Sequence, residues 1–237
     1  MQKIINKVAL ITGGSKGIGY GIAQSLLNQG LKVAITGRNE HTLQEAIAKL
    51  RANDRTVLGI TADVRKLDDM QAVVAQIEEA FGQLDVIVAN AGIGHFGAID
   101  QLTAQQWQDT IDINLTGVFN TVKAGLVAIK KTKGYIITIS SLAGTNFFAG
   151  GTAYNASKFG LTGFTQALML DVRNDDVKVT TIMPGSVSSY FGGRSPEDGK
   201  DWRIQPEDIG QITVDLLKMH PRTLPSKIEV RPSKTSN

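Results

Sequence analysis

Tyr154 and Lys158 stand four residues apart, so on a helix they project from one face, a single turn from each other. A phenol with a pKa of about 10 exchanges protons poorly near neutrality, but a neighbouring ammonium stabilises the phenolate and lowers that value. Such a pair can give a proton to an oxygen or take one away. Ser141 follows a strand-like run, Tyr135 to Ser140, at the carboxyl edge where open α/β sheets bind ligands. Its hydroxyl can donate to a carbonyl oxygen that is gaining negative charge. Ser140, its neighbour, points to the opposite face by strand alternation. Alone, Tyr-x-x-x-Lys is common, and as an exposed helix pair it is worth only about 0.2–0.5 kcal/mol. Its coincidence with the serine and a glycine turn gives it chemical weight.

That turn is Thr12-Gly-Gly-Ser-Lys-Gly-Ile-Gly19, placed between the first apolar run and the first helical pattern. Gly13, Gly17 and Gly19, with Ser15, Lys16 and Ile18 between them, let the backbone pass close to a diphosphate. Free N–H groups and the positive helix end would meet its charge. The spacing G-x-x-x-G-x-G is not G-x-G-x-x-G, and no G-K-[ST] follows, so ATP hydrolysis loses most of its support. A tight turn with no ligand is the alternative. The second run ends at Thr36-Gly37-Arg38, where NAD enzymes of such folds carry an acid for the ribose 2′-hydroxyl. Arg38, with Lys16 at the same end of the sheet, suits a 2′-phosphate instead, so NADP(H) is favoured over NAD. Ordinary solvated surface charges are the other reading of both.

Elements must hold these groups in place. Seven short runs rich in β-branched residues punctuate the chain: Lys7 to Thr12, Lys32 to Thr36, Thr56 to Thr61, Leu84 to Ala89, Tyr135 to Ser140, Val177 to Met183 and Lys227 to Val230. Most are apolar throughout, as parallel strands covered on both faces are. Helical spacing lies between them, as in Ile18, Ile22 and Leu26 or Met70, Val73, Val74 and Ile77. The alternation predicts a single α/β domain over 1–237, a doubly wound seven-stranded parallel sheet with helices on both faces and right-handed crossovers. A polar stretch, Gly185 to Gln205, carries neither pattern and reads as a substrate loop at about 186–205, while Pro232 to Asn237 reads as a frayed tail.

Composition removes other chemistries. With no cysteine and only His41, His95 and His220, disulfides, thiolate zinc sites, iron–sulfur clusters and cysteine nucleophiles are excluded, and a His-rich metal site is not expected. Twenty-five Lys and Arg against 22 Asp and Glu give +3, dispersed along the chain, which does not suit nucleic acid. The absence of a long apolar run argues against a membrane span or secretory signal, and the expected setting is cytoplasmic.

The chain resembles the short-chain dehydrogenase/reductase family from Val8 to about Val230. The likeness rests on Thr12, Gly13, Gly17 and Gly19, Asp63-Val64, Asn90-Ala91-Gly92, Asn114, Ser141 thirteen places before Tyr154, Lys158, and Pro184-Gly185. The resemblance implies a hydride exchanged between nicotinamide and a carbonyl or secondary alcohol, with Tyr154 transferring the proton and Ser141 holding the substrate oxygen. It implies that Lys158 binds the nicotinamide ribose and lowers the tyrosine pKa, and that Asn114 anchors a water in the proton relay. Asp63 and Val64 would hold adenine, Asn90, Ala91 and Gly92 would brace the sheet and touch the adenosine ribose, and Pro184, Gly185 and Val187 would lie against the nicotinamide. Family members assemble as homodimers or homotetramers through two long helices, here Gln105 to about Ile129 and Thr152 to Asp171. In length and motif placement the chain is similar to the 3-oxoacyl-carrier-protein reductases, but it ends Arg231-Pro-Ser-Lys-Thr-Ser-Asn237 where they close with a Gly-rich segment. A regulatory protein that binds NADP without chemistry would need the turn and not the catalytic set. His95, Phe96, Phe147, Phe148, Tyr190, Phe191 and Trp202 are candidates to line the substrate pocket, and Arg194, Lys200 and Arg203 to meet an anionic substrate or a carrier protein.

Overall fold

Each expected apolar run forms a strand: β1 Val8–Thr12, β2 Lys32–Gly37, β3 Val57–Thr61, β4 Val86–Ala89, β5 Tyr135–Ile139, β6 Lys178–Pro184 and β7 Lys227–Val230. The computed structural model describes residues 3–51, 56–193 and 202–234. The strands form one sheet in the order β3-β2-β1-β4-β5-β6-β7, every pairing parallel. Register follows from burial. Along β1, Ala9 and Ile11 join the apolar cluster on one face while Val8 and Leu10 join the cluster on the other, so no polar face is left to water.

Three helices cover the first face, α1 Gly17–Asn28, α2 Glu40–Leu50 and α7 Pro206–Lys218, through Ile22, Leu26, Leu43, Ile209 and Leu217. The second face is covered by α3 Leu67–Phe81, α5 Gly117–Thr132 and α6 Thr152–Val172, through Met70, Val73, Val118, Leu161 and Leu168. The chain leaves β3 at one edge and re-enters beside β1 as β4. That reversal opens a crevice at the carboxyl ends of the strands, where the turn after β1, Arg38, Asp63, Asn90 and Ser141 all emerge.

Two segments differ from the sequence expectation. The long helix expected from Gln105 to Ile129 is broken: α4 Ala104–Ile111 passes through a π-helical turn, Asp112–Thr116, before α5 begins. There the Gly117 N–H reaches back to the Asp112 carbonyl, five residues away, and Asn114 sits at the centre of the widened turn. Hydrophobic spacing cannot reveal such a turn, because one inserted residue shifts the apolar stripe only slightly. The polar stretch after β6 is also not free along its length. Val187 pairs with Ile204, Ser188 N–H donates to Ile204 O at 2.8 Å, and Ile204 N–H donates to Ser186 O at 3.1 Å. The stem of the loop is therefore zipped shut, while Arg194 and Lys200 lie outside the described residues.

Candidate active site

The glycine turn is shaped by its neighbours. Gly13 and Gly17 have φ of +64° and +56°, a left-handed backbone that a side chain disfavours. Asn90 Nδ2 donates to Thr12 O at 2.9 Å and to Gly13 O at 3.1 Å, and Thr12 Oγ1 accepts the N–H groups of Asn90 and Ala91, each at 3.1 Å. The ends of β1 and β4 are thus stapled together, which is the bracing expected of the Asn90 segment. A Cβ on Gly19 would collide with Gly13 O and Asn90 Nδ2, so that glycine serves close packing. Ile18 packs against the first core cluster, and Ser15 lies beside Gly37.

The amino terminus of α1 lacks a cap. Its N-cap residue is Lys16, which has no acceptor, and the first turn carries no acid. By contrast Asn39 caps α2 through Thr42 N–H, and Thr103 with Gln106 closes a capping box on α4. The first N–H groups of α1 are left for an anion, and this is the observation that fits a dinucleotide diphosphate.

At the neighbouring strand ends, Arg38, Thr61, Ala62, Asp63 and Asp69 line a recess of about 210 Å³. Arg38 is exposed and has neither a hydrogen bond nor an ion pair among the described residues, so its guanidinium is available. Asp63 is not: Arg65 grips it through Nε at 3.0 and 2.9 Å and Nη2 at 2.5 Å, which holds the carboxyl below the usual range, with Arg38 adding a smaller pull. Val64 is buried, and its carbonyl accepts from Asn120 Nδ2 at 2.9 Å. Lys16 departs from the expected basic pair. Its ammonium lies 5.7 Å from the Tyr190 ring centroid, drawn to the aromatic face of the loop after β6, and the recess is lined by Arg38 without it.

Ser141, Tyr154, Lys158 and Asn114 converge at the end of β5. Ser141 Oγ accepts from Ala143 N–H at 3.1 Å, lies 3.5 Å from Pro184 O, and stands close enough to the Tyr154 phenol to lower its pKa. Ser140 points the other way, to Thr162 Oγ1 at 3.1 Å, as strand alternation requires. Lys158 is buried, and its Nζ donates to Ile139 O at 2.9 Å and lies 5.7 Å from the Tyr154 ring centroid. A Cβ on Gly92 would stand 3.3 Å from Asn114 Oδ1 and 3.9 Å from Lys158 Nζ, so these three residues share one small space. Gly185 N–H continues the sheet to Val230 O at 2.8 Å, which holds Pro184 to Val187 beside the site.

The electrostatics correct one expectation. Burial pushes the Tyr154 phenol up to about 12, only partly offset by the neighbouring Ser141, and burial brings the Lys158 ammonium down to about 8. The phenol is therefore less acidic than the Tyr-x-x-x-Lys spacing predicts. Lys158, tethered to the Ile139 carbonyl, stands over the ring, and desolvation of the phenolate sets the direction of the shift.

Asn114 also differs in its contacts. Its amide is occupied by protein: Oδ1 accepts Ile93 N–H at 2.8 Å, and Nδ2 donates to Ile93 O at 2.9 Å and Ser157 Oγ at 3.1 Å. Both amide protons are taken, and Oδ1 keeps one lone pair beyond the Ile93 N–H. Two residues that sequence reasoning missed complete the frame. Ser157 Oγ donates to Tyr154 O at 2.8 Å, and Asn155 Nδ2 ties Ala143 O and Asn146 O to α6, each at 2.8 Å. The available signal was two polar residues, Asn155 and Ser157, buried within a helix beside the Tyr–Lys pair.

Of the candidate pocket residues, Phe96 and Phe191 lie against Tyr154 and Phe148 against Phe96, whereas Phe147 is 85% exposed and Trp202 stacks under Arg203. Among the described residues no group of His, Asp or Glu could hold a metal ion, and no helix is long and apolar enough to cross a membrane.

Comparison with known proteins agrees with this geometry. The family described as short chain dehydrogenase matches residues 7–199. An uncharacterized oxidoreductase of Staphylococcus saprophyticus is 33% identical over 238 residues, covering 98% of this chain and all of the relative. An alcohol dehydrogenase from the archaeon Thermococcus sibiricus, solved with 5-hydroxy-NADP, superposes with a TM-score of 0.91 at 30% identity over 98% of both chains. An actinorhodin polyketide ketoreductase variant with NADPH superposes at 0.87 with 31% identity, over 96% of both.

Proposed function

We propose, from the premise that the chain belongs to the short chain dehydrogenase family, that it is an NADP-dependent oxidoreductase interconverting a small-molecule carbonyl compound and its secondary alcohol. The observation that carries this reading is the buried Tyr154 beside Ser141 at the carboxyl end of β5, with Lys158 over its ring. Bound nicotinamide supplies the hydride for the carbonyl carbon, or takes it back from the alcohol.

The chain's own residues handle the oxygen. Tyr154 gives it a proton, and Ser141 donates to it as negative charge develops, so the two form a donor pair that needs no solvent to reorganise. Lys158 is fixed by Ile139 O where it can hold ribose hydroxyls. The Gly13–Gly19 turn and the uncapped first turn of α1 receive the diphosphate, with Ser15, Lys16, Gly17 and Ile18 forming its wall. Arg38 would meet the 2′-phosphate in the recess it shares with Asp63, and Val64 would help to hold the adenine. Asn90, Ala91 and Gly92 border the adenosine ribose, and Pro184, Gly185 and Val187 border the nicotinamide. Asn114 acts by positioning.

Residues 1–237 act as one domain in the cytoplasm, assembled as a homodimer or homotetramer. Phe119, Val127, Phe159 and Leu170 support the assembly, since they leave an exposed apolar surface on α5 and α6, the helices expected at the interface. The test is NADPH oxidation with acetoacetyl thioesters, diketones and aryl ketones side by side. Turnover of at least one carbonyl with NADPH is expected. Its absence across the panel, with the reverse oxidation of the alcohols also absent, would defeat the reading.

A further inference from the structure

We propose that Phe96, Phe148 and Phe191 form an aromatic box that selects an uncharged carbonyl compound carrying a planar ring. The proposal rests on the reading of Tyr154 as proton donor to the substrate oxygen, because the box is built on that side chain. Phe96 and Phe191 lie 5.4 and 5.5 Å from the Tyr154 ring, tilted or edge-on to it, and 6.2 Å from each other. Phe148 stands 6.0 Å behind Phe96. These side chains come from three separate loops, after β4, before α6 and after β6, and therefore converge without being neighbours in sequence.

Two features distinguish the box from core packing. Phe96 and Phe148 are each 49% exposed, so neither ring is consumed by burial in the protein interior. The box floor is also bare backbone. A Cβ on Gly94 would sit 2.7 Å from both the Phe96 and the Phe191 ring, and one on Gly151 would sit 2.8 Å from the Phe148 ring. Glycine at these places brings the rings down to the main chain.

The chemistry of the walls sets the ligand class. Among the described residues, Lys158 is the one cation stacked on any of the four rings, and it is tethered to Ile139 O. Arg203, a candidate for meeting an anion, is 8% exposed and lies over Trp202. A carboxylate entering the box would lose its hydration and, among the described residues, meet no cation on these walls other than the tethered Lys158. Tyr154 is itself only 9% exposed beneath Phe96 and Phe191, so a substrate must part these rings to reach the hydroxyl. A planar ring replaces the aromatic contacts it displaces, whereas a short aliphatic chain does not. Gly192 and Gly193, at φ of +67° and +77°, follow Phe191 and give that wall a turn that needs no side-chain rearrangement.

The experiment compares acetophenone, its para-carboxylate, 2-butanone and an acetoacetyl thioester as substrates with NADPH. Acetophenone is expected to exceed each of the others in kcat/KM by about tenfold or more. Phe96→Ala and Phe191→Ala should each remove about tenfold from the acetophenone value, mainly through KM, with NADPH affinity unchanged. Phe147→Ala, on the exposed neighbour that joins no ring contact, should leave it intact. Turnover in which the carboxylate or the thioester equals or beats acetophenone would overturn the box while leaving the oxidoreductase reading standing. If no carbonyl turns over, that reading falls, and calorimetric titration of acetophenone into the NADP⁺-saturated protein decides the box. Binding that Phe96→Ala abolishes would uphold it, and no binding would end it.

Discussion

Asn114 Nδ2 donates to Ser157 Oγ at 3.1 Å, and Ser157 Oγ donates in turn to the Tyr154 carbonyl at 2.8 Å. The rest of the Asn114 amide clasps both backbone groups of Ile93. A single fully buried side chain therefore joins the π-helical turn, the loop after β4 and the helix turn that carries Tyr154. Asn114 touches the reacting oxygen through no contact of its own. Its effect on chemistry passes through position.

Replacing Asn114 with Ala leaves Ile93 N–H and O and the Ser157 hydroxyl short of partners inside the protein. Orphaned buried groups cost about 1–3 kcal/mol each, so unfolding free energy should fall by roughly 2–4 kcal/mol in urea titration. Turnover should fall through kcat more than KM. Ser157→Ala alone should be milder, and the double variant should show a coupling of about 0.5–3 kcal/mol if the two act as one unit. Strict additivity would mean that the chain from Asn114 to Tyr154 carries no load.

Tyr154→Phe keeps the rings that meet Phe96 and Phe191 and removes only the hydroxyl. The expected result is a loss in kcat of about 10²–10⁴-fold, the usual worth of a positioned general acid, with NADPH binding measured by fluorescence unchanged. Stability should hold, because Ser141 keeps its bond from Ala143 N–H. Substantial turnover in this variant would move the proton donor elsewhere.

Arg38→Asp tests the cofactor argument. Arg38 has no hydrogen bond or ion pair among the described residues, and a charge-assisted hydrogen bond to phosphate is worth about 1.5–3 kcal/mol, so the NADPH-to-NADH preference should drop by roughly 10- to 100-fold. Lys16→Ala should shift it less, since that ammonium leans on Tyr190. Equal preference before and after Arg38→Asp would remove the 2′-phosphate from this recess.

The sheet was legible in the sequence because its signal is local. A run such as Val8–Thr12 is apolar on both faces and can be little other than a buried parallel strand. Ser141, Tyr154 and Lys158 were legible because spacing along one strand end and one helix face fixes their direction. The clasp on Ile93, the Asn155 ties and the aromatic box were not, since each joins loops distant in sequence, and no periodicity encodes which loops meet. The pKa of Tyr154 was misjudged for a related reason. Spacing brings an ammonium near the ring, but it says nothing of the burial that outweighs it or of the Ile139 carbonyl that holds Lys158.

Lys158 should leave a signature in stability against pH in protein free of cofactor. Its folded pKa is about 8 against 10.5 for an unperturbed lysine, so between these limits the unfolded chain binds more protons and stability rises with pH. Tyr154 and Tyr135 work in the opposite direction and only at higher pH. Both are raised from 10.0 to about 12, so the unfolded chain loses those protons first and stability falls above about pH 10. The interval from about pH 8 to 10 therefore reports on lysine. Lys178, also lowered by burial, contributes with the same sign, which makes the comparison with Lys158→Met necessary. The wild-type unfolding free energy from urea titration should climb across the interval, by an amount on the order of 2 kcal/mol attributable to Lys158, and the variant should lose most of that climb. Parallel slopes in the two proteins would show that the ammonium reaches water, and the buried tether to Ile139 would then be wrong.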